Sequence, residues 1–218
     1  MTDFAAARVN MVEGQIRPNK VTDERLLEAL HRLPRERFVS GALRAVAYVD
    51  DDILLGNGRY LVEPMVLARL LQEASIGPRD RVLDVGCATG YGTALIAALA
   101  VSVVGLECDP ELAAQASRNL AEIGVGNASI VQGPLVWGHA AQAPYDVIVI
   151  AGSVAEIPSG LTDQLAERGR LLTVVRRPGG SGQAMLTQRI GGSVSSRALF
   201  DAGTPYLPGF EPKPAFQF

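Results

Sequence analysis

Several residue types are scarce in this 218-residue chain, and each scarcity closes off a class of function. There are two cysteines, Cys87 and Cys108, in no CxxC pairing, which excludes a disulfide framework and a cysteine-based zinc site. The two histidines, His31 and His139, are far apart and lack metal-ligand spacing, so no metal is expected. A formal net charge of -3 leaves no basic surplus for nucleic acid or an anionic membrane surface. No apolar run is long enough to span a bilayer; the longest, "TALIAALAVSVVGL", reads as buried core. The start, "MTDFAAARVN", shows no cationic segment leading into an apolar one, so a cytoplasmic protein is expected. There is no internal repeat.

What is present is a hydrophobic content of 48%, ample for one sizeable core. From about residue 80 onward, strand-like and helix-like patterns alternate. "RVLDVG", "VSVVGLE", "ASIVQG", "YDVIVIAG" and "RLLTVV" read as buried strands. "YGTALIAALA", "PELAAQASRNLAEIG" and "PSGLTDQLAERG" read as helices, the second opened by Pro110 and closed by Gly124, the third ended by Gly169. "AMLTQRI" and "VSSRALF", joined through "GGS", predict a closing hairpin. The pattern predicts an α/β fold, a Rossmann-like doubly wound and mainly parallel sheet over residues 76–200, with an antiparallel edge. Residues 1–75 predict a packed N-terminal helical extension. "TDERLLEALHRLP", capped by Thr22 and ended by Pro34, and "VEPMVLARLLQEA" are its amphipathic helices. Between them runs "YVDDDILLGNGRYLVEP", a loop built around Gly56 and Gly58, in which Asp50–Asp52 read as a solvated face. The tail, 201–218, is rich in proline and aromatics and is expected to run extended over its own domain.

The stretch "VLDVGCATGYG" carries the chemistry. An apolar strand ends at Asp84, and a glycine-rich turn with Gly86, Gly90 and Gly92 leads into a helix, as where a backbone must approach a small molecule. The spacing Gly86, Ala88, Gly90 lacks the second glycine of the dinucleotide fingerprint. Glu107 ends the next strand, and no Lys or Arg occurs from 82 to 117. Two carboxylates without cations suit a ligand bearing an ammonium, a sulfonium and ribose hydroxyls better than one bearing phosphates. S-adenosylmethionine is such a ligand. Glu107 would accept from its ribose diol and Asp84 would favour its ammonium.

The ordered segments "PRERFV", "LLGNG", "RVLDVGCATGYGTALIA", "APYDVIV" and "IPSGLTDQL" resemble the protein-L-isoaspartate O-methyltransferase family, nearly end to end through about residue 176. The resemblance implies a class I methyltransferase that moves the methyl of S-adenosylmethionine onto the carboxylate of isoaspartyl residues in damaged protein. It also implies a cofactor site formed by Asp84, Gly86, Cys87, Ala88, Gly90, Glu107, Cys108, Pro134 and Leu135. Two departures stand out. The family's Thr-Ile-Ser step, which supplies hydroxyls to the acceptor carboxylate, is Tyr60-Leu61-Val62 here, and Val62 cannot hydrogen-bond through its side chain. The acceptor side is therefore assigned to Arg59, Tyr60 and Val62. The family's Gly-Asp-Gly turn at the adenine is Gly133-Pro134-Leu135, which removes the acid and one N–H. A different methyl acceptor, or a noncatalytic member binding a nucleoside or a partner protein, is the alternative reading.

Overall fold

A computed structural model describes residues 3–177 and 179–212. The N-terminal part begins with α1 (Phe4–Met11), whose N-cap Asp3 accepts from Ala6 N–H. A π-helical turn, Val12–Ile16, and a 3-10 turn, Arg17–Asn19, lead to α2 (Glu24–Arg32). The N-cap of α2 is Asp23, not the expected Thr22, because the Asp23 carboxylate reaches the N–H groups of both Arg25 and Leu26. Leu26, Leu27 and Leu30 are buried, as their spacing requires. After two further 3-10 turns come β1 (Ile53–Gly56) and β2 (Arg59–Leu61), a small antiparallel hairpin separate from the main sheet. Helix α3 (Pro64–Ala74) follows, with proline at its first position.

Buried β-branched runs then build the seven-stranded sheet. Its strands are β3 (Arg81–Val85), β4 (Ser102–Glu107), β5 (Ala128–Gln132), β6 (Tyr145–Val154), β7 (Leu165–Arg176), β8 (Gly182–Ile190) and β9 (Ser193–Asp201). The order is β5-β4-β3-β6-β7-β8-β9, parallel through β7 and antiparallel for the last two. Helices α4 (Tyr91–Ala97) and α5 (Pro110–Glu122) connect the first three strands of this sheet. The expected helix over 158–169 is cut short: only α6 (Ser159–Thr162) is helical, and β7 begins at Leu165 beside Tyr145. Arg168 stands at φ 64, so the chain turns there without a helix, and Gly169 lies against the carbonyl of Ala166 at a distance that leaves no room for a side chain.

Strand alternation gives the sheet two buried faces. Val82, Val103 and Val147 pack with α2, α3 and α4 in one core, whereas Leu83, Val104 and Ile148 pack with Leu161, Leu207 and Phe210 in the other. The helical N-terminal part thus covers one face, and α6 with the tail covers the second. Tail residues 205–210 lie along the end of β6, bonded through Ser153 N–H to Pro205 C=O, Leu207 N–H to Ser153 C=O and Ala155 N–H to Phe210 C=O. Residues 213–218 of the tail lie outside the described residues. Among the described residues, no helix is long and apolar enough to cross a membrane.

Candidate functional site

Beside β3 the chain reverses direction across the sheet, passing first to β4 and later to β6, and the crevice beyond the carboxyl ends of such strands is where doubly wound folds bind ligands. The loop after β3 fills this place. Gly86 (φ +80), Ala88 (φ +51) and Gly90 (φ +92) are all left-handed, and the N–H groups of Gly86 and Cys87 both donate to Leu106 C=O. This winds the loop back against β4, so that Ala88 N–H donates to Glu107 Oε2 at 2.7 Å. Asp84 sits beneath, 1% exposed; its Oδ2 accepts from the Thr93 hydroxyl, and its Oδ1 has no partner among the described residues. Burial pushes its carboxyl up to about 6, against the Thr93 hydrogen bond and aided by the charge of Glu107.

Glu107 departs most from the sequence-based expectation. Its Oε1 accepts from Arg59 Nε (3.0 Å), Cys108 N–H (2.9 Å) and Asp109 N–H (3.2 Å); its Oε2 accepts from Arg59 Nη2 (2.9 Å) as well as from Ala88. Arg59 Nη2 also donates to Gly86 C=O at 2.8 Å. Arg59 is 2% exposed and Glu107 0%, so this is a buried, two-pronged ion pair inside the site. Burial alone would raise the Glu107 carboxyl, but the guanidinium and the backbone donors more than reverse this and hold it below its usual range. The expectation of a pocket without cations is overturned. The local stretch 82–117 carries none, but β2 delivers one from 48 positions away.

The other expected residues divide between the two sides. Cys87 is buried in the loop and Cys108 is half-buried beside Glu107. Burial raises both thiols, Cys108 to about 11, so neither is a thiolate at neutral pH. Pro134 and Leu135, with Cys108, Gln132, Gly133, Val136, Pro208 and Gly209, line a cavity of about 470 Å³ past the ends of β4 and β5. On the hairpin side, Tyr60 is half-buried opposite Leu54, and Val62 is buried with its carbonyl held by Arg35 Nη2 at 2.8 Å. Asn57 Nδ2 ties the hairpin turn to Asp109 at 2.8 Å.

Two participants were not expected. Arg35, within "PRERFV", is fully buried; it donates to the carbonyls of Ala47 and Val62 and lies over the Tyr91 ring, 4.8 Å from its centroid. Its signal was its place in "PRERFV", a segment that carries the resemblance but gives no sign of burial. Leu207 wedges between two glycines: a Cβ on Gly86 would meet Leu207 Cδ2 at 2.9 Å, and one on Gly152 would meet Leu207 Cγ at 2.6 Å. Nothing in the proline-aromatic tail singled out that leucine.

The donor set matches the chemistry of S-adenosylmethionine in three respects. Glu107 is a carboxylate held ionised beside the loop, the loop positions are glycine or alanine in left-handed geometry, and a cavity adjoins Pro134 and Leu135. Arg59 and Leu207 stand against the same carboxylate and the same glycine. Comparison with known proteins agrees with this reading. The family profile described as protein-L-isoaspartate(D-aspartate) O-methyltransferase matches residues 7–208. A protein-L-isoaspartate O-methyltransferase of Koribacter versatilis is 41% identical over 178 residues, covering 82% of this chain and 80% of its own. Protein-L-isoaspartate O-methyltransferase 2 of Marinobacter nauticus is 37% identical over 200 residues, covering 91% and 90%. Among solved structures, a protein-L-isoaspartate O-methyltransferase superposes with a TM-score of 0.82 at 23% identity, covering 93% of this chain and 66% of that one. A Plasmodium falciparum protein solved with S-adenosyl-L-homocysteine superposes at 0.78 and 19% identity, covering 94% and 98%. The fold, the loop facing Glu107 and these relatives place the chain in the protein-L-isoaspartate O-methyltransferase family, whose members are S-adenosylmethionine-dependent enzymes.

Proposed function

We propose that the chain methylates the carboxylate of an isoaspartyl residue in protein or peptide, with residues 76–200 holding the cofactor and the hairpin before α3 facing the acceptor. The observation that carries this reading is Glu107, held ionised at the end of β4 with the Gly86–Gly90 loop bonded to it through Ala88 N–H. When bound, S-adenosylmethionine supplies an electrophilic methyl on a sulfonium. Glu107 is the acceptor for its ribose hydroxyls, Leu135 N–H and the adjoining cavity suit its base, and Asp84 lies below the loop. The acceptor carboxylate is ionised at neutral pH, so no residue need act as a base. The protein's task is placement and exclusion of water. Leu207 packs against Gly86 and covers that part of the loop, while the solvent-exposed Asn57–Asp109 bond fastens the hairpin turn beside it. Placement falls to Arg59 and Tyr60, because Val62 offers the acceptor only an apolar side chain. Both cysteines are free, as suits a reducing cytoplasm.

The test is transfer of labelled methyl from S-adenosylmethionine to an isoaspartyl peptide and to the matched aspartyl peptide. Label is expected on the isoaspartyl peptide alone, about a hundredfold more slowly than in a relative with both acceptor hydroxyls. Val62→Ser is expected to recover part of that loss. Label on neither peptide, with label appearing on other proteins of a cell extract, would replace this acceptor by a different one.

A further inference from the structure

We infer that Arg59 is an exchangeable occupant of the site: it holds Glu107 until the cofactor's ribose replaces it, and its freed guanidinium then binds the acceptor carboxylate. This rests on the cofactor assignment proposed above. Three observations carry it.

The first is competition for one group. Glu107 already accepts from Arg59 through both carboxylate oxygens and from three backbone N–H groups. A ribose diol can bond the carboxylate only where the guanidinium now sits. The three backbone donors remain when Arg59 departs, and a carboxylate with that many N–H donors stays ionised without its counter-ion. The exchange therefore leaves no bare charge on the Glu107 side.

The second is where Arg59 is mounted. It stands on a hairpin of a four-residue and a three-residue strand outside the seven-stranded sheet. A two-stranded ribbon gains little from its own pairing. Buried Ile53 and Leu61, with the Val62 carbonyl on Arg35, hold its main chain, so the exchange is a swing of the Arg59 side chain. Within the hairpin, Asn57 is bonded to Asp109 and Arg59 to Glu107 and Gly86, and directly after it the Val62 carbonyl is bonded to Arg35. The alternative partner of Arg59 must share the chemistry of the one it leaves, since a freed guanidinium left buried without a carboxylate is expensive.

The third is the acceptor's own nature. An isoaspartyl carboxylate has the charge and the two-oxygen fork of Glu107, so it meets the same planar donor pair. Arg59 is one residue from Tyr60 and three from Val62, on the wall where an acceptor hydroxyl is missing. Trading one carboxylate for another makes binding ordered: cofactor first, acceptor second. It also couples them, because each ligand removes Arg59 from the other's competitor.

Calorimetric titration with S-adenosylhomocysteine tests this on the native protein, Arg59→Gln and Arg59→Lys, alone and with an isoaspartyl hexapeptide. Arg59→Gln is expected to bind about tenfold more tightly or better than native, because the competing state is removed. Arg59→Lys, which keeps the charge but lacks the fork, should fall between them, and it serves alone if the glutamine variant does not fold. The peptide should tighten binding to the native protein about fivefold and leave Arg59→Gln unchanged. Variants that bind no more tightly than native would overturn the proposal, as would a native affinity that ignores the peptide. Absence of binding in all three proteins at millimolar ligand would remove the cofactor assignment as well, which separates that failure from this one.

Discussion

The carboxyl ends of β3 and β4 and the facing β1–β2 hairpin enclose one site, yet they are built on different terms. On the strand side, position and chemistry are fixed together by main-chain bonds. Gly86 and Cys87 donate to Leu106, Ala88 donates to Glu107, and left-handed backbone makes glycine the natural choice at 86 and 90. On the hairpin side, Arg35 anchors the main chain at Val62 and the Asn57 side chain fastens the turn to Asp109, while among the described residues the side chains at 60 and 62 make no hydrogen bond. The strand side therefore tolerates little change without losing the loop, whereas the hairpin side can alter what it presents and keep its place. The ion pair between Arg59 and Glu107 joins the two sides.

The sharpest way to break this comparison is Glu107→Ala. It leaves the buried Arg59 guanidinium without a carboxylate, and removing one partner of a buried pair costs about 3–5 kcal/mol. Chemical denaturation should read that loss, and S-adenosylhomocysteine binding should vanish with it. Gly86→Val comes next. The φ of +80 strains any branched residue, and the new side chain strikes Leu207 and Arg59 Nη2. About 3 kcal/mol of destabilisation is expected from strain and overpacking together. A thermal melt close to the native one would mean the loop is not confined as described.

Asp84→Asn probes pH. Its folded-state carboxyl stands at about 6 against 3.8 in the unfolded chain, so the folded protein holds a proton that the unfolded chain releases. That contribution to stability is fully present below about pH 4 and fades as pH rises through 6. Relative to native, the asparagine variant should gain on the order of 2 kcal/mol between pH 4 and pH 7. Urea titrations across that range would show it; a constant difference would place the Asp84 carboxyl at its ordinary value. The smallest effect is expected at Arg37, whose bond to Glu122 at 2.8 Å is solvent-exposed on both sides. Arg37→Ala should cost less than about 1 kcal/mol, and added salt should shrink even that. The contrast with Glu107→Ala measures what burial adds to the same pair of functional groups.

Most of the sheet was legible because its signals are local: β-branched runs, proline at the start of α5 and glycine after it. The loop and Glu107 were legible for the same reason. Arg59 was placed on the acceptor side by its neighbours in sequence, but its bond to Glu107 was not visible, since a hairpin's approach to a distant strand leaves no periodic trace. The reading of 158–169 as one helix failed where helical residue preference yielded to pairing of Leu165 with Tyr145 in the sheet. The cap of α2 was misplaced by one residue, where two adjacent polar residues could each serve and only geometry favours Asp23.

Val62 C=O rests on Arg35 Nη2, and that bond makes no demand on the side chain at position 62. A backbone located through its own carbonyl leaves the attached side chain answerable to packing alone, and Val62 packs buried in the core. Descendants of this chain could replace valine by threonine, close to it in shape, and inherit the same wall in the same place wherever the new hydroxyl finds a partner. A larger side chain would overpack the core. Under the acceptor assignment proposed above, a change of preference here has to pass through core packing while the main-chain anchor stays intact.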